Sequence, residues 1–213
     1  APAPSPAPAP SPSAQAAANP PKINNGDFSI PSIQDVSVGY KYVGNITGWN
    51  TWKGPNGGGI IITNKDSSSW IFKQPYPNNA DQCIIIQKTA GFKTSNTNIF
   101  YPGVKYKLTF WTCPRGRTYA TYNEGNPIDV GFVNKTRFYE VVPQDASSEC
   151  NNGSQWNANP HCWVWKKHTV IFESDTTDPQ QISFTGKETS SDLSTGICGI
   201  EVDIYTAAAA PAR

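Results

Sequence analysis

The chain has no methionine and few ionisable side chains. Methionine is absent from all 213 residues, including position 1, and histidine occurs only twice. A first residue other than methionine predicts a processing site, and removal of a signal peptide fits best. Charged residues make up 15% of the chain, with 17 Lys and Arg against 16 Asp and Glu. This balance argues against nucleic acid or an anionic membrane as a partner, because no basic patch is evident in the sequence.

Long apolar runs and catalytic motifs are also missing. The longest apolar runs, Gly59–Ile62 and Cys83–Ile86, have the length of a strand, so no membrane insertion is predicted. Neither His161 nor His168 lies in a nucleophile motif, and Gly57-Gly58-Gly59 lacks the Lys-Ser/Thr of a phosphate loop, which makes it a turn. No metal site is predicted, because the chain has no CxxC element. The sequence therefore does not predict an enzyme.

Residues 1–23 form an arm rich in Pro, Ala and Ser. Ala1–Pro21 contains eight prolines and no charged or aromatic residue, a composition that favours an extended polyproline II helix. At roughly 3.1 Å per residue this arm reaches about 65 Å. The remaining chain predicts a globule about 40 Å across. We therefore expect the arm to dock on a neighbouring copy, and the alternative is an arm that folds back on its own domain.

Residues 24–206 are typical of an all-β domain. β-branched and aromatic residues occur in short runs separated by Gly, Pro and Asn, and no helix is indicated. This pattern predicts a two-sheet antiparallel jelly-roll sandwich, followed by an Ala/Pro-rich tail over residues 207–213. The clearest predicted strands are Gly59–Asn64, Trp70–Lys73, Asp81–Lys88, Lys105–Cys113, Pro127–Asn134, Phe138–Val142, Cys162–Glu173, Gln180–Gly186 and Gly196–Thr206.

Sequons and cysteines indicate an extracellular protein. N-glycosylation is predicted at Asn45, Asn134 and Asn152, each of which begins an Asn-X-Ser/Thr sequon. The chain has 5 cysteines, a number that suits an oxidising compartment but leaves one unpaired. We therefore predict a secreted protein with covalent glycans.

Two disulfides are predicted among these cysteines. Cys150 and Cys162 bracket a short polar loop and are the pair most easily closed. The second predicted pair is Cys113–Cys198, which requires antiparallel neighbours and a bulge that turns one of the two side chains. Cys83 then remains a buried free thiol among isoleucines.

Alternation in two predicted strands places polar and aromatic side chains on one face. Lys105, Lys107 and Trp111 share one face of their strand, and Glu201, Asp203 and Tyr205 share one face of the last strand. If the strands are neighbours, the carboxylates face Lys105 and Lys107. We therefore interpret Glu201 and Asp203 as members of cross-strand charge pairs. The alternative is a glycosidase carboxylate pair that also involves Asp129. The aromatic rings make the face a predicted site for sugar or for a polyproline arm, with packing in the core as the alternative for Trp111.

Five short phrases, taken in their order, resemble a known domain. Together they are similar to the galactose-binding-like jelly roll, most closely the domain of plant cell-wall proteins of unknown function and more loosely jelly-roll carbohydrate-binding modules. The resemblance implies an extracellular β-sandwich that contacts polysaccharide and is not an enzyme. The phrases are Asn25-Gly26-Asp27-Phe28, Ile46-Thr47-Gly48-Trp49, Gln82-Cys83-Ile84-Ile85-Ile86, Gly103-Val104-Lys105-Tyr106-Lys107-Leu108-Thr109-Phe110 and Cys198-Gly199-Ile200-Glu201-Val202-Asp203.

This chain departs from that family at two positions. Family members commonly carry an acidic residue after the opening Asn-Gly-x-Phe and an Asp-Asp pair in the last strand. Here Ser29 and Glu201-Val202-Asp203 stand at those places. Structural calcium, which relatives imply, is therefore not expected, and covalent glycans are the only non-protein groups predicted.

The arm has a resemblance of its own. Its spaced Ala-Pro and Ser-Pro units are similar to the glycomodules of hydroxyproline-rich glycoproteins in plant and green-algal walls; a plain Pro-rich spacer is the alternative. The resemblance implies hydroxylated, O-glycosylated proline at Pro2, Pro4, Pro6, Pro8, Pro10 and Pro12. The sequence as a whole predicts a secreted, glycosylated structural protein that forms an extracellular fibril or matrix by docking of the arm on the next copy. The alternative is a monomeric module that binds cell-wall polysaccharide and carries a glycosylated linker.

Overall fold

The computed structural model describes residues 7–30, 40–64, 76–77, 80–115, 125–133, 135, 137–142, 165–189 and 193–207. These residues form one short helix and twelve strands. The elements are α1 (Pro12–Ala18), β1 (Tyr40–Val43), β2 (Asn45–Ile46), β3 (Trp49–Trp52), β4 (Ile60–Asn64), β5 (Gln82–Gln87), β6 (Gly91–Thr94), β7 (Tyr106–Arg115), β8 (Ile128–Phe132), β9 (Arg137–Val141), β10 (Lys166–Phe172), β11 (Ile182–Gly186) and β12 (Ser194–Ile204).

The strands form two six-stranded antiparallel sheets. Sheet A has the order β1-β4-β5-β12-β7-β10, and sheet B has the order β2-β3-β6-β11-β8-β9. Among the described strands, β2-β3, β4-β5 and β8-β9 are consecutive along the chain, whereas the other neighbours are separated by further strands, as in a jelly roll. The predicted two-sheet antiparallel sandwich is confirmed.

The core lies between the sheets and contains a network of aromatic rings among aliphatic side chains. Side chains that alternate inward from both sheets are almost fully buried, and their rings meet edge to face or stacked. Trp49, which the sequence assigns to packing, is 1% exposed, and its ring centroid lies 5.1 Å from that of Phe92. Phe92 in turn stacks on Phe184 at 5.0 Å. The rigid core leaves the outer faces and the sheet edges for function.

The arm is not extended throughout, because residues 12–18 form a helix. Ser11 caps helix α1, its side-chain oxygen accepting a hydrogen bond from the Ala14 backbone N–H, and Pro12 occupies the first turn, where a missing N–H costs little. Ala16 is 0% exposed and belongs to the core. The Lys22 backbone N–H donates to Asn98 Oδ1 at 2.8 Å. Over this part the predicted polyproline helix is wrong, and the alternative of an arm folded back on its own domain applies.

The sequence also misses four strands, β1, β2, β3 and β6. They are two to four residues long and are separated by glycines and turns, so their periodicity is too short to detect. The predicted strand Trp70–Lys73 lies outside the described residues. Within the described ranges the structure has no helix with the length and apolar character that a membrane crossing needs.

Candidate functional site

The predicted polar face exists on the outer side of sheet A. We call it the charged strip and define it as Lys105, Lys107, Thr109, Trp111, Glu201, Asp203 and Tyr205. Strands β7 and β12 are neighbours, with Lys107 opposite Asp203 and Thr109 opposite Glu201. Lys107 Nζ lies 3.7 Å from Asp203 Oδ2, so this charge pair forms as the alternation predicts.

Residues on strand β10 or directly after it already contact side chains of the charged strip. Lys105 Nζ lies 4.0 Å from Glu173 Oε1, so Lys105 pairs with β10 and not with β12. Lys167 Nζ lies 5.8 Å from the ring centroid of Trp111, over the ring. Trp111 is half-buried, while Tyr205 keeps 39% of its surface exposed. A ligand on the strip would have to displace these internal contacts, and binding at the strip stays a prediction.

The carboxylates considered as a glycosidase pair do not converge. Asp129 lies on β8 in sheet B, whereas Glu201 and Asp203 lie on β12 in sheet A. Asp129 instead bonds Arg137 Nη1 at 2.7 Å. Because the sheets face each other across the core, side chains on their outer faces point away from one another.

The other predicted sites divide between described and undescribed residues. Asn45 lies exposed on β2, the edge strand of sheet B, where an N-glycan has room. Pro8 and Pro10 are exposed, and Pro12 begins α1. The remaining predicted positions, Pro2, Pro4, Pro6, Asn134, Asn152, Cys150 and Cys162, lie outside the described residues.

The structure has Cys113 and Cys198 as free thiols, so it does not contain the predicted Cys113–Cys198 disulfide. Cys113 lies opposite Gly196, whereas Cys198 lies opposite Trp111, so the two cysteines are diagonal neighbours. Diagonal residues in antiparallel strands are about 7–8 Å apart, which is too far for a disulfide without backbone movement. Cys83 is also a free thiol in the structure and is fully buried.

A pocket that the sequence does not predict opens at one edge of the sandwich. We call it the edge pocket; its volume is about 320 Å³. It lies where the chain passes from β1 in sheet A to β2 in sheet B, beside β3 and the start of β4. The edge pocket is lined by Tyr42, Val43, Gly44, Thr51, Trp52, Lys53, Gly59 and Ile60.

Two aromatic rings on this lining are positioned by their neighbours. Tyr42 is 59% exposed, and its hydroxyl donates to Gln87 Oε1 at 3.0 Å, which fixes the end of the ring. A Cβ on Gly59 would lie 3.1 Å from Tyr42 Cδ1, so the ring rests on the glycine backbone. The indole of Trp52 lies over Gly91 of the neighbouring strand β6, so any side chain at Gly91 would collide with it. Both rings are therefore held in place before a ligand arrives.

The polar groups of the edge pocket are cationic and neutral. Lys53 is exposed, and within the described part of the chain its ammonium has no acidic partner. Thr51 donates its hydroxyl hydrogen to the Gly44 carbonyl oxygen. The lining contains no carboxylate. An unpaired cation beside aromatic rings favours a ligand that carries negative charge and an apolar face.

A row of outward side chains continues from the pocket across sheet B. The register places Trp52 opposite Gly91, Gly91 opposite Thr185, Thr185 opposite Asp129, and Asp129 opposite Glu140. Four strand spacings make this row about 19 Å long. The Trp52 indole covers Gly91 at one end of the row, and at the other end Asp129 and Glu140 pair with Arg137 and Lys187.

A second pocket lies at the opposite side of the sandwich, and its charges are already paired. It has a volume of about 510 Å³ and is lined by Phe132, Lys135, Arg137, Phe138, Glu173 and Asp175. Lys135 Nζ lies 3.2 Å from Asp175 Oδ1, and Arg137 Nη1 lies 3.0 Å from Glu140 Oε2. Paired charges on an exposed surface offer a ligand less than the ammonium of Lys53, which lacks an acidic partner in the described part of the chain.

The buried histidine forms a contact that resembles a nucleophile and its base. His168 Nε2 lies 2.7 Å from Thr112 Oγ1, and His168 Nδ1 lies 3.1 Å from the Tyr139 hydroxyl. Thr112 is 2% exposed and His168 is 6% exposed, inside the sandwich. A substrate has no access to a hydroxyl at that depth, so this contact is a buried hydrogen-bond network that joins the two sheets.

Known structures share this fold at low sequence identity. A cyclase from Fischerella sp. TAU in complex with 4-(1H-indol-3-yl)butan-2-one has a TM-score of 0.56 at 15% identity, over 87% of this chain and 98% of that chain. The K1 cleaved adhesin domain of Lys-gingipain from Porphyromonas gingivalis W83 has a TM-score of 0.52 at 15% identity, over 78% of this chain and 98% of that chain.

A carbohydrate-binding module, TmCBM61 in complex with β-1,4-galactotriose, aligns more weakly. Its TM-score is 0.40 at 13% identity, over 85% of this chain and 96% of that chain. No protein-family model and no curated protein matches the chain. The cyclase and the adhesin domain show the fold alone, and that fold agrees with the predicted jelly-roll sandwich.

Proposed function

We propose that this chain is a carbohydrate-binding domain of a secreted glycoprotein, and that its edge pocket holds an acidic sugar of a polysaccharide. The observation that carries the proposal is the lining of the pocket: Tyr42 and Trp52 lie beside the ammonium of Lys53, which has no acidic partner among the described residues, and no lining residue is a carboxylate. Ligand sites are concave and mostly apolar with a few placed polar groups, and about 300 Å³ is the lower end of their usual volume.

The chemistry of a uronic acid matches this lining. A sugar ring has an apolar face of C–H groups that packs on an indole or phenol ring, and a carboxylate at its rim pairs with an ammonium. Lys53 is exposed, so its attraction is partly screened until a ligand covers it. The row from Trp52 to Glu140 then provides a surface along which a chain of sugars can continue.

Calorimetric titration with oligogalacturonides and with neutral galactan oligosaccharides of equal length tests the proposal. We expect binding of the acidic oligosaccharide that weakens as salt is raised, and Lys53→Gln to lower its affinity about tenfold, or about 1.4 kcal/mol. Trp52→Ala should abolish binding, and Lys107→Gln is the matched control outside the pocket. Equal affinity for both oligosaccharides would overturn the acidic specificity, and no binding of either would overturn the function.

Trp111→Ala separates the edge pocket from the charged strip. If Trp111→Ala abolishes binding while Trp52→Ala does not, the sugar lies on the strip that the sequence predicts. We expect the reverse, because Lys167 already covers the Trp111 ring whereas Tyr42 is 59% exposed.

Assembly into a fibril stays a prediction. Helix α1 and Lys22 are anchored on their own domain, so residues 12–22 need no neighbouring copy to hold them. Residues 7–11 are exposed and remain available to another molecule. Electron microscopy of the native material, with sedimentation of the purified chain over a range of concentrations, distinguishes a polymer from a monomeric module.

A further inference from the structure

Three free thiols share the outer face of sheet A. Cys83 lies on β5, Cys198 on β12 and Cys113 on β7, and these strands are consecutive in the sheet. All three cysteines are 0% exposed. They lie outside the core between the sheets, whose members include the flanking Ile84 and Ile197.

The register determines which two thiols are opposite each other. Ile197 is the last residue of β12 that pairs with β5, and it lies opposite Ile84. Continued by one step along both strands, this register puts Cys198 opposite Cys83, just beyond the last paired residues. Cys113 lies across from Gly196 on the other side of β12, diagonal to Cys198.

Backbone distances separate the two possible bridges. Residues directly opposite in antiparallel strands have Cα atoms about 4.5–5.5 Å apart, and diagonal residues are about 7–8 Å apart. Disulfides span Cα distances of about 4.4–6.8 Å. From the register we therefore expect the Cys83–Cys198 pair inside this range and the Cys113–Cys198 pair outside it.

Contacts with one short segment show that both thiols point the same way. The Pro77 carbonyl oxygen lies 3.9 Å from Cys198 Sγ. The neighbouring Tyr76 is 4% exposed, and its hydroxyl donates to the Asn64 carbonyl oxygen at 3.1 Å. Burial raises the pKa of Tyr76, and the Cys83 and Cys198 thiols beside it raise it further. The two thiols and Tyr76 therefore lie together under the same cover.

We propose that Cys83 and Cys198 form a cross-strand disulfide when the protein folds in an oxidising compartment. The two thiols lose two protons and two electrons as the S–S bond forms, and a small-molecule disulfide such as glutathione disulfide takes up both and becomes two thiols. The exchange runs through a mixed disulfide on one cysteine, which the other thiolate then attacks.

Because both thiols are buried in the folded protein, we expect the disulfide to form during folding. Burial raises the pKa of the Cys83 thiol well above its ordinary value, and it raises that of Cys198 to about 12. The attacking species is the thiolate, so the closed sheet reacts slowly with an oxidant. With the predicted Cys150–Cys162 bridge, this pairing accounts for all five cysteines and leaves Cys113 as the buried free thiol.

Peptide mapping of the full chain tests the pairing. The reduced, unfolded protein is refolded in mixed reduced and oxidised glutathione, then denatured, alkylated without reduction and digested with trypsin. Cleavage after Lys73, Lys88, Lys107, Arg115 and Lys187 puts the three cysteines in separate peptides. We expect the peptides of Cys83 and Cys198 to be linked and Cys113 to be alkylated.

Two variants supply the control. Cys113→Ser should keep the link, and Cys83→Ser should leave Cys198 alkylated. A link between Cys113 and Cys198, or alkylation of both Cys83 and Cys198 in the refolded wild-type chain, overturns the proposal. The wild-type map decides the question even where a variant does not fold.

Discussion

Acidification should destabilise this protein through His168 more than through any surface charge pair. The imidazole stacks on Phe110 at 5.0 Å and 14° and bonds Thr112 and Tyr139. Burial first, and the nearby Lys166 charge second, lower the pKa of His168 from 6.5 to about 4. The folded protein therefore keeps this ring neutral at pH values where the unfolded chain protonates it.

The sign and size of the effect follow from proton linkage. Between pH 6.5 and 4 the unfolded state binds the extra proton, so the free energy of unfolding falls as pH falls. One pKa unit corresponds to about 1.36 kcal/mol, so the full window corresponds to a loss of about 3 kcal/mol. The contribution of neutral His168 is complete above pH 6.5 and is lost as pH falls through about 4.

Urea unfolding at several pH values between 7.5 and 4 measures this loss. His168→Gln is the control, because it keeps a polar side chain but does not titrate, and the carboxylates contribute equally to both profiles. We expect the wild-type profile to fall about 3 kcal/mol further than that of the variant. Parallel profiles would refute the reasoning, and so would an imidazole pKa near 6.5 measured by NMR on the wild-type chain.

Three further perturbations test the arm, the glycans and the strip. Ala16→Glu should lower the free energy of unfolding in urea by about 1–3 kcal/mol, because it buries a carboxylate. Ala17→Glu, on the exposed side of α1, is the control and should not lower it. Equal effects of the two variants would show that the helix is not docked. The intact mass of the native protein should exceed 23.2 kDa, with a glycan released from Asn45, and the bare polypeptide mass would contradict this. Trp111→Ala should cost about 1–2 kcal/mol of unfolding free energy, because half of a large ring is covered, and an unchanged thermal midpoint would mean that the Lys167 contact contributes nothing.

The sequence predicts long, regular strands better than short ones. Lys105–Cys113 and Gln180–Gly186 alternate clearly, and both are strands in the sandwich. The sequence does not predict helix α1, because the proline and serine at its start fit the polyproline pattern of the residues before it. The signal was present, since a serine cap followed by proline and an Ala-rich run is how a helix begins.

The two candidate sites differ in the same way. The charged strip depends on two long neighbouring strands, so alternation is enough to find it. The edge pocket combines Tyr42 and Lys53 from different sheets with Gly59 from the start of a third strand. No local period connects these positions, and only the folded topology brings them together.

A single bulge in β12 explains the thiol cluster. Alternation over β12 would put Cys198 on the same face as Ile200, but the register shifts by one residue between Cys198 and Glu201. Gly199 lies in the bulge with φ +61°, a backbone conformation that glycine adopts readily and residues with a side chain adopt rarely. The freed Ile200 backbone N–H donates to the Gly26 carbonyl oxygen at 3.0 Å, which ties the bulge to the start of the domain. The bulge therefore turns Ile200 into the core and leaves Cys198 on the outer face, so the residue that breaks the alternation also brings Cys198 opposite Cys83.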